Sequence, residues 1–285
     1  MIPDTIPNFV LRHEPLFRLG FFFGLLGAMM AWEALAPRRS RLMSRWARWP
    51  SNLGLVALNT LLIRLVSTSA AAGFAAFTES RGWGLLQMFA LPQWVRVVTA
   101  VIVLDFTIYL QHIMFHAVPG LWRLHRMHHT DPDLDTTTGA RFHPIEILLS
   151  MGLKFVVIAA FGAPTLAVVI FEVLLNATSM FNHGNVRMPA SMDKFLRWVI
   201  VTPDMHRVHH SIIHNETNSN FGFNLPWWDR LLGTYLSQPA KGHQDMVIGL
   251  DIFRDPPDQR LDRMLFQPFV GSTGQYPINR RDQSD

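Results

Sequence analysis

The chain has 285 residues, 49% of them apolar, with 21 Phe, 9 Trp, only 16% charged residues and a formal net charge of +4. It contains no cysteine, which excludes a disulfide framework, thiolate zinc sites, iron–sulfur clusters and a cysteine nucleophile, so any metal must sit on nitrogen and oxygen ligands. The basic excess is mostly arginine gathered in a few places, with no long basic stripe interleaved with aromatics, and it reads as membrane orientation rather than nucleic-acid binding.

Residues 1–15 are polar and Pro-containing, without the basic start and small-residue cleavage site of a removed signal peptide. Residues 16–36 form an apolar run long enough to cross a bilayer, which takes about 20 residues. Arg38, Arg39, Arg41, Arg45 and Arg48 follow at once, interleaved with Trp46 and Trp49; arginines beside a span mark the cytoplasmic side, and tryptophan suits the headgroup boundary. A second span is expected over 53–77, with Arg64 inside it, and a third over 94–115. The connection 78–92 carries only Glu79 and Arg81, as a non-cytoplasmic loop would. Residues 145–161 and 164–181 are two further apolar segments separated by Gly162-Ala163-Pro164, the expected tip of a helical hairpin. Such a hairpin leaves and re-enters on one face, which brings His183 beside the earlier histidines.

From 189 onward the chain is polar and loop-rich, with an amphipathic stretch at 195–201 and a final segment containing Pro256 and Pro257 that reads as a mobile end. The divisions expected are an N-terminal transmembrane region (1–92), a catalytic domain (93–240) and a C-terminal tail (241–285). The fold expected is an all-α integral membrane protein of about four to five transmembrane or re-entrant helices, with a cytoplasmic helical cap holding the histidines. Arg64, Asp105, Lys154 and Glu172 fall within the expected spans, where a charge must pair, line a cavity or snorkel; their signs allow two opposite pairs.

The 13 histidines are not scattered. His112 and His116, four apart, lie about 40° from one another around a helix, so both imidazoles can meet one metal. His125-Arg126-Met127-His128-His129 and His206-Arg207-Val208-His209-His210 repeat one H-R-x-H-H cassette, with ligands at i, i+3 and i+4. With His183 that makes nine imidazoles, more than one ion takes; two ions would share them at about four or five each and keep a position open. Imidazole suits iron, copper, nickel and zinc, and an open redox-active pair suits oxygen chemistry. His13 and His243 read as surface or core residues. No H-E-x-x-H, H-x-x-E-H, G-x-G-x-x-G or P-loop is present, so a zinc protease and a built-in nucleotide site are excluded and electrons must come from a separate protein. A basic face suits an acidic partner of that kind. A membrane zinc metallohydrolase and a non-catalytic metal- or haem-binding membrane protein are the alternatives.

Residues 94–236 resemble the fatty acid hydroxylase and sterol desaturase superfamily of membrane di-iron enzymes. The resemblance runs through His112-x-x-x-His116, the two H-R-x-H-H boxes, Arg141-Phe-His143-Pro144-x-Glu146, Asn182-His183-Gly-Asn185, Pro203-Asp204-Met-His206, Asn220-Phe-Gly222 and Trp228-Asp229-Arg-Leu-Leu-Gly233-Thr-Tyr235. It implies O2-dependent hydroxylation or desaturation of a lipid C–H bond, fatty acyl, sterol or related. It also implies two Fe ions, which zinc can replace in a purified sample, and an external donor such as a ferredoxin or b-type cytochrome. The ligands it implies are His112, His116, His125, His128, His129, His183, His206, His209 and His210. Several members carry a further histidine four residues before the position of His183; here it is Ser179, which leaves the tenth ligand open between none, a water and Asn176. His143 reads as a helix start or supporting group, and His214 as supporting or structural. Asp204 and Asp229 are acids that could support imidazoles around a metal. A bacterial inner membrane is the expected location, with the metal site on its cytoplasmic face.

Overall fold

Each apolar run becomes a helix that starts at a proline or polar residue and stops where the pattern breaks. The computed structural model describes residues 13–66 and 70–278. The first run is α1 (Glu14–Leu35), the second carries α2 (Arg45–Val66) and α3 (Ala70–Ser80), and the third is α4 (Gln93–Ala117). The histidine-bearing α5 (Pro119–His129) follows a bend at Val118, and α6 (Pro144–Phe161) and α7 (Thr165–Asn182) form the hairpin. Proline occupies the first turn of α5 and α6, where a missing N–H costs nothing. Short helices complete the cap: α8 (Ala190–Leu196), α9 (Pro203–His209), α10 (His214–Thr217), α11 (Trp227–Leu231), α12 (Gly242–Asp245) and α13 (Leu261–Phe266). Two isolated β-bridges are the extended pairings found among the described residues. The fold is all-helical, as the apolar periodicity implied.

Among the described residues, four helices are long and apolar enough to cross a membrane: residues 16–35 of α1, then α4, α6 and α7. The hairpin tip forms where expected, with Gly162 closing α6 in the left-handed conformation (φ 66°). A Cβ on Gly84 would lie 2.0 Å from the Gly162 nitrogen, so the connection after α3 packs directly on that tip.

Of the expected second span, residues 53–66 and 70–77 are described and are helical. Arg48 in the first turn of α2 is fully buried and pairs with Asp131 and Asp135 on the histidine side. Glu79 at the end of α3 accepts from the Thr165 N–H at 3.0 Å beside the hairpin tip. The arginines after α1 also do more than mark a membrane side, since Arg38 pairs with Asp204 and Arg45 with Glu33.

Of the four charges inside the expected spans, Lys154 and Glu172 pair with one another at 3.4 Å, and Arg18 from α1 meets the same carboxylate. Asp105 accepts from the Trp228 indole at 2.8 Å, which fixes α11 against α4. Leu104, Ile108, Ile158, Ala167, Val168 and Phe171 fill the space between α4, α6 and α7, where close packing rather than water expulsion holds membrane helices together.

The expected mobile C-terminal end is corrected. Up to Ile278 it is a packed strap rather than a mobile end, and 279–285 lie outside the described residues. Buried Arg126 donates to the carbonyls of Gln267, Val270 and Ser272. Tyr276 stacks on Trp122 with ring centroids 5.8 Å apart, and the Ile278 N–H donates to the His116 carbonyl at 2.9 Å. Backbone carbonyls in this segment, invisible to composition, recruit the second residue of the first H-R-x-H-H box.

Candidate metal centre

The helices deliver histidines from four directions. The last turns of α4 carry His112 and His116; α5 carries His125, His128 and His129; His183 caps the C-terminus of α7; α9 and its C-cap carry His206, His209 and His210. In α9 the Thr202 hydroxyl accepts from the Met205 N–H at 3.3 Å and Pro203 sets the first turn, so even this short helix places its i, i+3 and i+4 residues together.

All nine side chains converge in two groups. His112, His116, His125, His129 and His209 form one, and His128, His183, His206 and His210 the other; within each group the candidate ligand atoms lie within 4.8 Å of one another. Each H-R-x-H-H box is shared between the groups: His125 and His129 face the first while His128 faces the second, and His209 faces the first while His206 and His210 face the second. None of the nine is more than 5% exposed.

The ring nitrogens are sorted by partner. Nδ1 of His112 donates to the Phe221 carbonyl at 2.8 Å, His183 to Ser179 at 2.7 Å, His209 to Ser219 at 2.7 Å and His128 to Arg141 at 3.2 Å. Nδ1 of His125 meets the Glu146 carboxylate at 2.7 Å, and that of His116 meets Asn218 Oδ1 at 3.1 Å. With the proton on Nδ1, each Nε2 is left as a bare lone pair. These lone pairs face one another: His112 and His125 at 3.1 Å, His116 and His129 at 3.2 Å, His128 and His183 at 3.1 Å, and His183 and His206 at 3.0 Å. His209 Nε2 and both nitrogens of His210 are buried with no hydrogen-bond partner.

Lone pairs pressed together repel unless a cation lies among them. Separations of this size are the edges of a coordination shell with bonds of ~2.1 Å meeting at roughly 90–100°, narrower than the angles of three or four ligands and suited to five or six. Burial, reinforced by the neighbouring histidines, holds the imidazoles of His128, His129, His206 and His210 far below the usual histidine range. Burial likewise pushes His183 and His209 down to about 3. These six rings are therefore neutral, the form that binds a metal. The donor set fits two metal ions.

The remaining candidates stand apart from the two groups. Ser179, at the open tenth position, donates its hydroxyl to the Gly139 carbonyl at 2.6 Å. Asn176 is exposed and bonds back to the Glu172 carbonyl one turn earlier, because its position turns it toward the lipid side. His143 is the N-cap of α6 and accepts from the Ile145 N–H at 3.2 Å. His214 opens α10 and faces Asn215. Asp204 touches none of the nine; it joins Arg38 and Arg207, and although burial raises its carboxyl, Arg207, His243 and Arg38 hold it below the usual range. Asp229 acts one step removed: it accepts from the N–H groups of Phe221 and Gly222 at 2.7 and 2.9 Å and so fixes the carbonyl that orients His112. Burial pushes its carboxyl up to about 6.

Sequence reasoning left out Glu146, Asn218 and Gln111. Glu146 stands within the quoted Arg141–Glu146 motif, and its spacing after a helix-capping histidine was the one available signal. Asn218 comes within reach only through the loop between α9 and α11.

Residues 97–234 match the family described as fatty acid hydroxylase. The chain is 32% identical over 157 residues to ornithine lipid hydroxylase OlsE of Rhizobium tropici, covering 55% of this chain and 46% of that protein. It is 26% identical over 248 residues to alkylglycerol monooxygenase of Xenopus tropicalis, covering 84% and 50%. It is 24% identical over 152 residues to human cholesterol 25-hydroxylase, covering 51% and 54%. The chain thus spans about half the length of these relatives. No solved structure matches it. The segment that matches the fatty acid hydroxylase family, residues 97–234, contains all nine clustered histidines and both boxes.

Proposed function

We propose that this chain is an O2-dependent di-iron hydroxylase acting on a lipid C–H bond, with His112, His116, His125, His129 and His209 holding one ion and His128, His183, His206 and His210 the other. One observation carries this reading: nine buried imidazoles converge in adjoining groups of five and four at the ends of two helices long and apolar enough to cross a membrane. Two bound iron ions would supply activation of O2, with electrons from a separate ferredoxin or b-type cytochrome.

The protein's own contribution is orientation and exclusion. Nδ1 partners lock the rings of His112, His116, His125, His128, His183 and His209 so that Nε2 points inward. Phe115, Phe142 and Phe223 line the approach to His112 and His125 and keep water from a reacting group. Because α4 and α6 present apolar side chains outward at this depth, a lipid can reach the centre from the bilayer. The three relatives are named as hydroxylases or a monooxygenase of lipids, which favours hydroxylation over desaturation here. The arginines at 38–48 favour a centre on the cytoplasmic face of a bacterial inner membrane.

The test is oxygen-isotope transfer. Iron-loaded protein in nanodiscs of bacterial lipid, given 18O2 and a reduced ferredoxin, should yield lipid heavier by one 18O atom, and His128→Ala should abolish the product. Label arriving from water, or turnover with zinc and without O2, would replace this reading with a metallohydrolase.

A further inference from the structure

Beside the first histidine group, between α4 and α6, lies a cavity of about 30 Å³ bounded by Gln111, His112, Phe115, His125, Phe142 and Glu146 among others. Most of its wall is apolar. Besides the two histidines, two polar side chains break that wall, and each keeps an acceptor with nothing to accept. Glu146 is 4% exposed; its Oε1 is taken by His125 Nδ1, while its Oε2 is buried and has no partner. Gln111 is 9% exposed, and its Oε1 is likewise buried and unpartnered.

An unmet buried acceptor costs about 1–3 kcal/mol, and a native site tolerates two in one small cavity when something arrives to use them. The cavity has room for one small polar group and the carbon that bears it, given that a water needs roughly 10–15 Å³ on the same measure. Access is lateral: Leu110 and Met114 of α4 and Ile145 and Leu149 of α6, next to the lining residues, are 40–47% exposed on the lipid-facing side.

We infer that this cavity selects lipids carrying a hydrogen-bond donor, O–H or N–H, close to the carbon presented to the histidine groups, with Glu146 and Gln111 as the determinants. The inference rests on the proposed lipid-oxidising reading and names its substrate class. Glu146 Oε2 takes the donor's proton in a hydrogen bond. The Gln111 amide, which can turn either end inward, accepts from an N–H or donates to a hydroxyl oxygen. An ester or plain hydrocarbon brings no donor and leaves Glu146 unmet, the kind of mismatch that polar sites reject most strongly.

The experiment is binding without turnover. Anaerobic, metal-loaded full-length protein in phosphatidylcholine nanodiscs is exposed to 1-hexadecanol, N-methylhexadecanamide or methyl hexadecanoate, and retained ligand is read by native mass spectrometry with metal content measured on the same samples. The expected result is at least about 10-fold preference for the alcohol, the amide or both over the ester. Gln111→Leu and Glu146→Gln should each reduce that preference about 5-fold or more with ester binding unchanged. Preference for the alcohol alone assigns a hydroxylated lipid, and for the amide alone an amide-linked one. Equal retention of all three by the wild type, or a preference that survives both substitutions with metal content intact, overturns the inference. Absence of metal from the wild type would instead count against the di-iron reading, and the cavity's preference would still be read from the same binding data.

Discussion

Gly139 makes the tightest contact between the loop after α5 and the helix that ends in His183. An ideal Cβ at this position would lie 2.4 Å from the Ser179 carbonyl oxygen and 2.8 Å from its carbon, where ordinary contact is 3.4–4 Å. Gly139→Ala must therefore push two backbone segments apart by about 1 Å, an overpacking that costs roughly 1–3 kcal/mol. The oxygen displaced is the one that accepts from His183 Nδ1 at 2.7 Å, and about 1 Å more takes that pair beyond hydrogen-bond range. Loss of such an orienting partner typically weakens a metal site about 10–100-fold. His183 belongs to the second group alone, so the effect should be selective: in dialysis against graded metal, one of two sites fills normally and the other needs about 10–100 times more metal. Gly120→Ala is the control, because a Cβ there meets nothing within 4 Å. Gly139→Ala protein that fills both sites at wild-type metal concentration and unfolds at the wild-type temperature would refute the reasoning.

Three further outcomes follow from the contacts around the centre. Asp229→Ala should weaken the first group about 10-fold or more by freeing the Phe221 carbonyl from its anchor; dialysis as above would show it, and unchanged filling of the first site would contradict it. Arg126→Leu should cost about 3 kcal/mol, since it strips three carbonyls, that of Gln267 buried and those of Val270 and Ser272 part-buried, of a charged donor; limited proteolysis should then cut within 254–278, and a wild-type digestion pattern would argue against the strap. Acidification should destabilise the metal-free protein. Burial holds His183 and His209 at about 3 in the folded state, whereas the unfolded chain takes up those protons near 6.5, so stability is full above about 6.5 and falls with decreasing pH by up to ~1.4 kcal/mol per unit for each group. Thermal midpoints from pH 7.5 to 4.5 measure this, and a flat profile would contradict it.

The histidine centre was legible because its signals are local. His112 and His116 at i, i+4 and the two H-R-x-H-H cassettes fix their own geometry once helical, and the Gly162–Pro164 break determines where His183 returns. The partition of each cassette between two groups also follows from helical spacing, since His128 points about 100° away from His129. Other features depend on partners distant in sequence. Arg48 looked like a membrane-side marker, yet its guanidinium is consumed by Asp131 and Asp135, 83 and 87 residues away. The strap over α5 was missed because Arg126 binds its backbone carbonyls, which no side-chain pattern reports. Glu146 was in view within its motif, but only the fold shows that one oxygen holds His125 while the other faces a cavity.

The measurement closest to the central claim is metal per chain, by mass spectrometry, on anaerobically purified protein beside a His128→Ala/His209→Ala double variant that takes one ligand from each group. The account predicts near two irons per chain in the wild type and their loss from the variant. One zinc or no metal in the wild type, or a content unaffected by both substitutions, would contradict it.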